Sequence, residues 1–297
     1  MITLAQLFAE SRANLPTGLG SADLRKLDLQ LRQSSLFSAR MTNAQAVQGV
    51  REALQAILSG ADNTAEARYK LKLLGQSLGY DPAKGFPDSQ PSTLNQIPPA
   101  EAGEIRDLFS TDRLNLILNT QRALVDGYAL KQHGNTDMAR FQFPCWELVR
   151  VFDVETPRGS RRGPKNTLIP VPGDDWPSRW IAAGGELVDG DRMIAPKGDP
   201  IWEALGEGVG GYDDSLDNGG APPFALNSGK GWREVPRDEA IALGIIDPDE
   251  TPDPADSDFG PKEVAIDGKK YDTDILKELE RSLLAGALAP GVKISFS

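Results

Sequence analysis

Five basic residues, Arg150, Arg158, Arg161, Arg162 and Lys165, lie close together, with Asp153 and Glu155 the acids among them. Guanidinium and ammonium groups at this density suit phosphate, so Arg158, Arg161, Arg162 and Lys165 are the candidate phosphate contacts. The competing reading is a solvated loop rich in Gly and Pro. Elsewhere the chemistry thins out. Asn227-Ser228-Gly229-Lys230-Gly231 holds a Gly-Lys pair, yet lacks the spacing of a P-loop and any hydroxyl after the lysine to bind magnesium. The acidic run from Asp247 to Asp258 offers oxygen ligands, but its prolines and its lack of an EF-hand glycine and glutamate oppose a calcium loop. Single residues of histidine (His133) and cysteine (Cys145) leave neither a His-rich metal site nor an internal disulfide. No catalytic constellation, metal site or cofactor is expected.

The chain that must position these groups has 297 residues, a net charge of −11, 39% hydrophobic and 25% charged residues. That composition is ordinary for a folded globular protein and excludes disorder throughout. The acidic balance argues against a protein that coats nucleic acid, leaving DNA contact only to the local basic loop. No apolar run reaches the roughly 20 residues of a membrane-spanning helix, and the first ten residues do not read as a secretory signal.

The pattern predicts an α+β protein: a helical N-terminal part, then a small Trp-rich α+β module with long loops, then a tethered C-terminal helix. Residues 1–78 form the helical region. Leu4, Leu7 and Phe8 mark an opening helix, and Leu24, Leu27 and Leu31 a second stripe. Asn43 caps a third helix carrying Val47, Val50, Leu54 and Ile57 and closing at Gly60; Thr64 caps a fourth. Residues 79–100, with five prolines, read as an extended connector. Residues 101–246 hold a long helix from Thr111 to Gly134 and the α+β module. Gly127 within that helix marks close packing by a neighbour. Trp146 to Val154 reads as a strand, and all five tryptophans fall between 146 and 232, as core residues or as interface anchors. Residues 247–262 form an acidic, Pro-rich tether, and 263–297 an amphipathic helix and tail. Ile275, Leu276, Leu279 and Leu283 share that helix's apolar face, which either packs on its own domain or docks on a partner.

Six blocks, in order, resemble minor head proteins of tailed bacteriophages: Leu36-Phe37-Ser38-Ala39-Arg40-Met41-Thr42-Asn43-Ala44; Leu116 to Gln121 through Gly127-Tyr128; Trp146-Glu147-Leu148-Val149-Arg150-Val151; Asp175-Trp176-Pro177-Ser178-Arg179-Trp180; Arg192-Met193-Ile194-Ala195 with Asp199-Pro200-Ile201-Trp202; and Pro222 to Glu234. The wider group resembles head-morphogenesis proteins of Mu-like phages, which assemble with the portal and capsid shell. The likeness covers residues 36–246. The chain departs from the pattern at Pro222-Pro223, followed by Phe224-Ala225-Leu226-Asn227 where the group often has His and Cys. It departs again at Pro157 to Gly173, which looks like an insertion. The resemblance implies a virion structural protein, assembled in the bacterial host cytoplasm. It would be a minor head component near the portal, binding portal and capsid proteins or further copies of itself without turnover. The alternatives are a head–tail joining or tail-associated protein, and a phage-encoded transferase-like enzyme.

Overall fold

A computed structural model describes residues 3, 12–28, 31–32, 34–87, 100–154, 159–164, 167–212, 214–254, 263–285 and 293–296. The fold is α+β. It divides into two compact units, Met1–Arg122 with Phe259–Ser297, and Ala123–Asp258. The opening helix expected at Leu4 to Phe8 lies outside the described residues.

In the first unit, β1 (Ala13–Asn14) pairs in parallel with β2 (Ser35–Leu36), with the short helix α1 (Ser21–Lys26) between them. The helix α2 (Ala44–Ser59) starts where its cap dictates: the Asn43 side chain accepts from the Ala46 amide, and Gly60 closes it in the left-handed conformation. The next cap is Asn63, not Thr64. Asn63 and Glu66 form a reciprocal capping box, fixing α3 (Thr64–Ser77). The two helices pack as a hairpin, with Gly49 letting Leu74 approach the backbone. The start of the Pro-rich connector is not extended. Asp81 and Gly85 bridge across a tight turn, and Phe86 buries itself against Tyr80 and Phe109, ring centroids 5.1 and 6.1 Å away. Residues 88–99 lie outside the described residues.

The long helix α4 (Thr111–Gly134) follows. Leu114, Ile117, Leu118, Leu124, Val125 and Tyr128 are all buried, as the stripe requires. Arg68 and Lys72 of α3 hold its first turns by bonds of 2.7 Å each to Asn115 and Thr111. Its residues after Arg122 belong to the second unit. There Gly127 abuts the Pro222 carbonyl so closely that any side chain would collide with it. Asn218 spans the Leu124 and Pro222 carbonyls at 2.8 and 3.0 Å, and Lys131 donates to the Gly219 carbonyl.

Beyond α5 (Asp137–Gln142) comes the sheet of the second unit. Its centre is β3 (Cys145–Arg150), flanked antiparallel by β6 (Ile194–Pro196) and β7 (Lys230–Val235). One face carries Trp146, Leu148 and Trp232, covered by α6 (Trp176–Ala182) and α7 (Ile201–Glu207). Trp146 stacks on Trp232 at 3.7 Å, and Trp202 meets both edge-on. Trp146, Trp176, Trp180 and Trp202 are each at most 4% exposed, so these four are core residues, while Trp232 is half-buried against them. The other face carries Cys145, Ile194 and Val235 under α8 (Arg237–Ala242). Burial pushes the Cys145 thiol up to about 12, which suits a small apolar residue. The Pro157–Gly173 stretch is not featureless: β4 (Ser160–Arg162) and β5 (Leu168–Pro170) pair antiparallel within it.

The described part of the acidic tether is strapped down. Arg237 donates to the Pro248 carbonyl at 3.1 Å and the Glu250 carbonyl at 2.6 Å, and Arg140 to the Pro252 carbonyl at 3.0 Å. Residues 255–262 lie outside the described residues.

The C-terminal segment returns to the first unit as β8 (Glu263–Ile266), α9 (Thr273–Ala285) and β9 (Lys293–Phe296), which pairs in parallel with β8. Ile275 and Leu279 join Val264 and Ile266 in one core with Leu19, Leu24, Leu27 and Leu31; Leu283 packs at its edge and Leu276 is half-buried. Ile275 and Leu279 of that apolar face are covered within the chain. A stripe on α9 finds its complement in the leucines around α1.

Candidate functional site

The sheet's two faces set the site's geometry, because side chains alternate along each strand. On the α8 side, Glu147 of β3 points toward Arg233 of β7 and Arg192, which precedes β6. Arg192 donates to both Glu147 oxygens, at 2.9 and 3.0 Å, and to Glu239 of α8 at 2.5 Å. Arg233 donates to Glu147 at 2.7 Å and to Glu239 at 2.8 and 3.2 Å. Four charges thus close a ring that clamps α8 to β3, β7 and the segment leading into β6. The guanidinium bonds hold the Glu239 carboxyl down at about 2 and Glu147 below the usual carboxylate range. Carboxylates with folded values below their unfolded ones stabilise the fold above about pH 4.5, and that contribution disappears as pH falls toward 2. Thermal melting of the parent should therefore drop steeply between pH 5 and 2.5. A Glu239→Gln variant should melt lower at pH 7 and show a shallower acid slope; equal slopes would show that the ring contributes nothing.

On the aromatic side, Arg179 of α6 is 4% exposed and sits in a cleft of about 460 Å3 lined by Pro172, Gly173, Asp174, Tyr212 and Asp214. It bonds Asp174 at 2.6 Å and Asp214 at 2.9 Å, and its guanidinium lies 4.2 Å from the Tyr212 ring centroid. Tyr212 reaches across to the Gly173 carbonyl at 3.0 Å. The cleft's ionisable groups are tied to one another, so Arg179 acts as a tie between two loops. Trp176 joins this cleft to the open end of the sheet: Arg179 lies 5.4 Å from its ring centroid and the Lys230 ammonium 5.9 Å.

At that open end Arg150 and Lys230 are direct cross-strand partners. Burial, then the Arg150 charge, pushes the Lys230 amine down to about 8. Of the residues expected to contact phosphate, Arg161 is exposed on β4 and Arg162 ends the same strand; Arg158 and Lys165 lie outside the described residues. The hairpin departs beside Asp175, since Gly159 abuts that residue and its carbonyl accepts from the Val171 amide. Sequence reasoning grouped Arg150 with the hairpin but missed Lys230. The alternation Lys230, Trp232, Glu234 against Gly231, Arg233, Val235 was the available signal.

His133 is exposed in the last turn of α4, the helix-end position expected of it. Among the described residues no group of three or more His, Cys, Asp or Glu could hold a metal ion, and no helix is long and apolar enough to cross a membrane. No family model, curated protein or solved structure matches this chain.

Proposed function

We propose that this chain is a structural component of a tailed-bacteriophage virion, a minor head or head-morphogenesis protein near the portal. It acts by protein–protein binding during capsid assembly in the host cytoplasm, without turnover. One observation supports this most: four of the six ordered blocks that carry the resemblance build the second unit's frame. Trp146–Val151 supplies β3, Asp175–Trp180 opens α6, Arg192–Ala195 and Asp199–Trp202 supply β6 and the start of α7, and Pro222–Glu234 ends as β7. Their side chains Trp146, Trp180, Trp202, Phe224 and Trp232 meet in one cluster. Blocks whose side chains meet in one core are consistent with one another, which supports reading them together.

The charged groups around that core also suit a rigid part. Glu147, Arg192, Arg233 and Glu239 bond one another, and Arg179 bonds Asp174 and Asp214. The reading predicts that particles of the parent phage contain the chain at a fixed copy number, read by quantitative mass spectrometry of purified virions. Phage with the gene disrupted should yield few infectious particles. Full infectivity without the chain would overturn the assembly role, and so would turnover of a small molecule lost on substituting Arg179 or Asp214.

A further inference from the structure

We propose that Arg150 and Lys230 form a contact site for the phosphodiester backbone of nucleic acid at the open end of the sheet. Like charges directly opposite on an antiparallel pair destabilise it, because their side chains stand about 5 Å apart. Arg150 and Lys230 occupy that register as the last pair of β3 and β7. Counting by twos from Trp146 and Trp232 places both on the aromatic face. There Lys230 is half-buried against Trp176 while Arg150 is exposed. Among the described residues neither forms an ion pair, although Glu147 and Arg233, three positions in, are saturated with partners.

A fold that neutralises its other sheet charges so fully leaves this pair without an internal anion. An external one bridging the two strands removes the repulsion. A polyanion fits better than a free anion. Arg150 is open to water, so a single hydrated phosphate gains little there, whereas a nucleic-acid backbone gains the release of its condensed counterions. The hairpin that carries Arg161 leaves from beside Asp175, the residue before Trp176. The site stands apart from the assembly role and does not depend on it.

The test is fluorescence anisotropy of a labelled DNA duplex against the full chain between 50 and 200 mM salt. The parent should bind, and the slope of log affinity against log salt should weaken by about one for each of Arg150→Ser and Lys230→Ser. Lys230→Arg keeps the charge and should bind like the parent. The double Ser variant should melt at or above the parent temperature, since the repulsion is gone. No binding by the parent at 50 mM salt would overturn the proposal, as would parental affinity in the double variant or lost binding in Lys230→Arg. Inorganic phosphate that raises the melting temperature as much as the duplex does would show a free-anion site and overturn the nucleic-acid assignment.

Discussion

Lys197→Ala is expected to lower the unfolding free energy of the second unit by about 3 kcal/mol, read from the urea midpoint. Lys197 is fully buried, yet every polar partner it meets is an acceptor. Its ammonium donates to the Gly134 carbonyl at 2.8 Å, approaches the Ala139 carbonyl at 3.4 Å, and pairs with Glu234 at 2.7 Å. Gly134 ends α4, where carbonyls lack helical partners and a cation is favoured. The ammonium also lies 5.3 Å from the Trp146 ring centroid. Gly134 itself leaves room for this arrangement, because a side chain there would press on Trp146 and Glu234. Burial lowers the amine's pKa while Glu234 opposes that. Alanine removes the donors and leaves a void beside Trp146. Methionine fills the void but leaves the Gly134 carbonyl and the Glu234 carboxylate without their cation, so Lys197→Met should cost about 2 kcal/mol. A neutral Lys197→Met would show that water satisfies the Gly134 carbonyl instead.

Lys197 also shows where the sequence stops being legible. In Pro196-Lys197-Gly198-Asp199 it reads as an ordinary turn residue, and nothing local reveals that helix ends 58 and 63 positions away supply its partners. The helices were readable because their signals are local: Asn43 and Gly60 mark α2, and one stripe marks α4. The strand β3 was readable from its aromatic and branched residues. Its partner β7 alternates only weakly, with Trp232 its one large apolar residue before Val235, and its pairing with β3 is set 80 to 90 positions away. The cleft was half legible: Asp175 to Trp180 stood out, but Asp214 joins Arg179 only in the fold. The strap from Asp247 to Pro254 failed for a different reason. Its acids and prolines describe side chains, whereas Arg237 and Arg140 grip its main-chain carbonyls, which every residue possesses.

The same limit governs the C-terminal helix, whose amphipathicity was plain and whose partner was not. Truncation after residue 262 is expected to unfold the region around α1. It removes Val264, Ile266, Ile275 and Leu279 from a core whose other buried members are Leu19, Leu24, Leu27 and Leu31. Each such side chain contributes about 1.5–3 kcal/mol when buried, so the four together rival the 5–15 kcal/mol that holds a typical domain. The polar partners go as well. The Gly18 amide donates to Glu278 at 2.5 Å and the Asp28 amide to the Tyr271 hydroxyl at 2.8 Å. Neither is replaced by anything else in the segment. Amide hydrogen exchange should therefore show lost protection at residues 15–31 in the truncated chain. Protection in β3 and β7, which take no core residue from the segment, should persist. The single substitution Leu279→Ala should reproduce the effect in part, at about 3 kcal/mol, since its side chain is fully buried. Unchanged protection at residues 15–31 after truncation would free the helix to act elsewhere. It would leave Ile275 and Leu279 available to a partner.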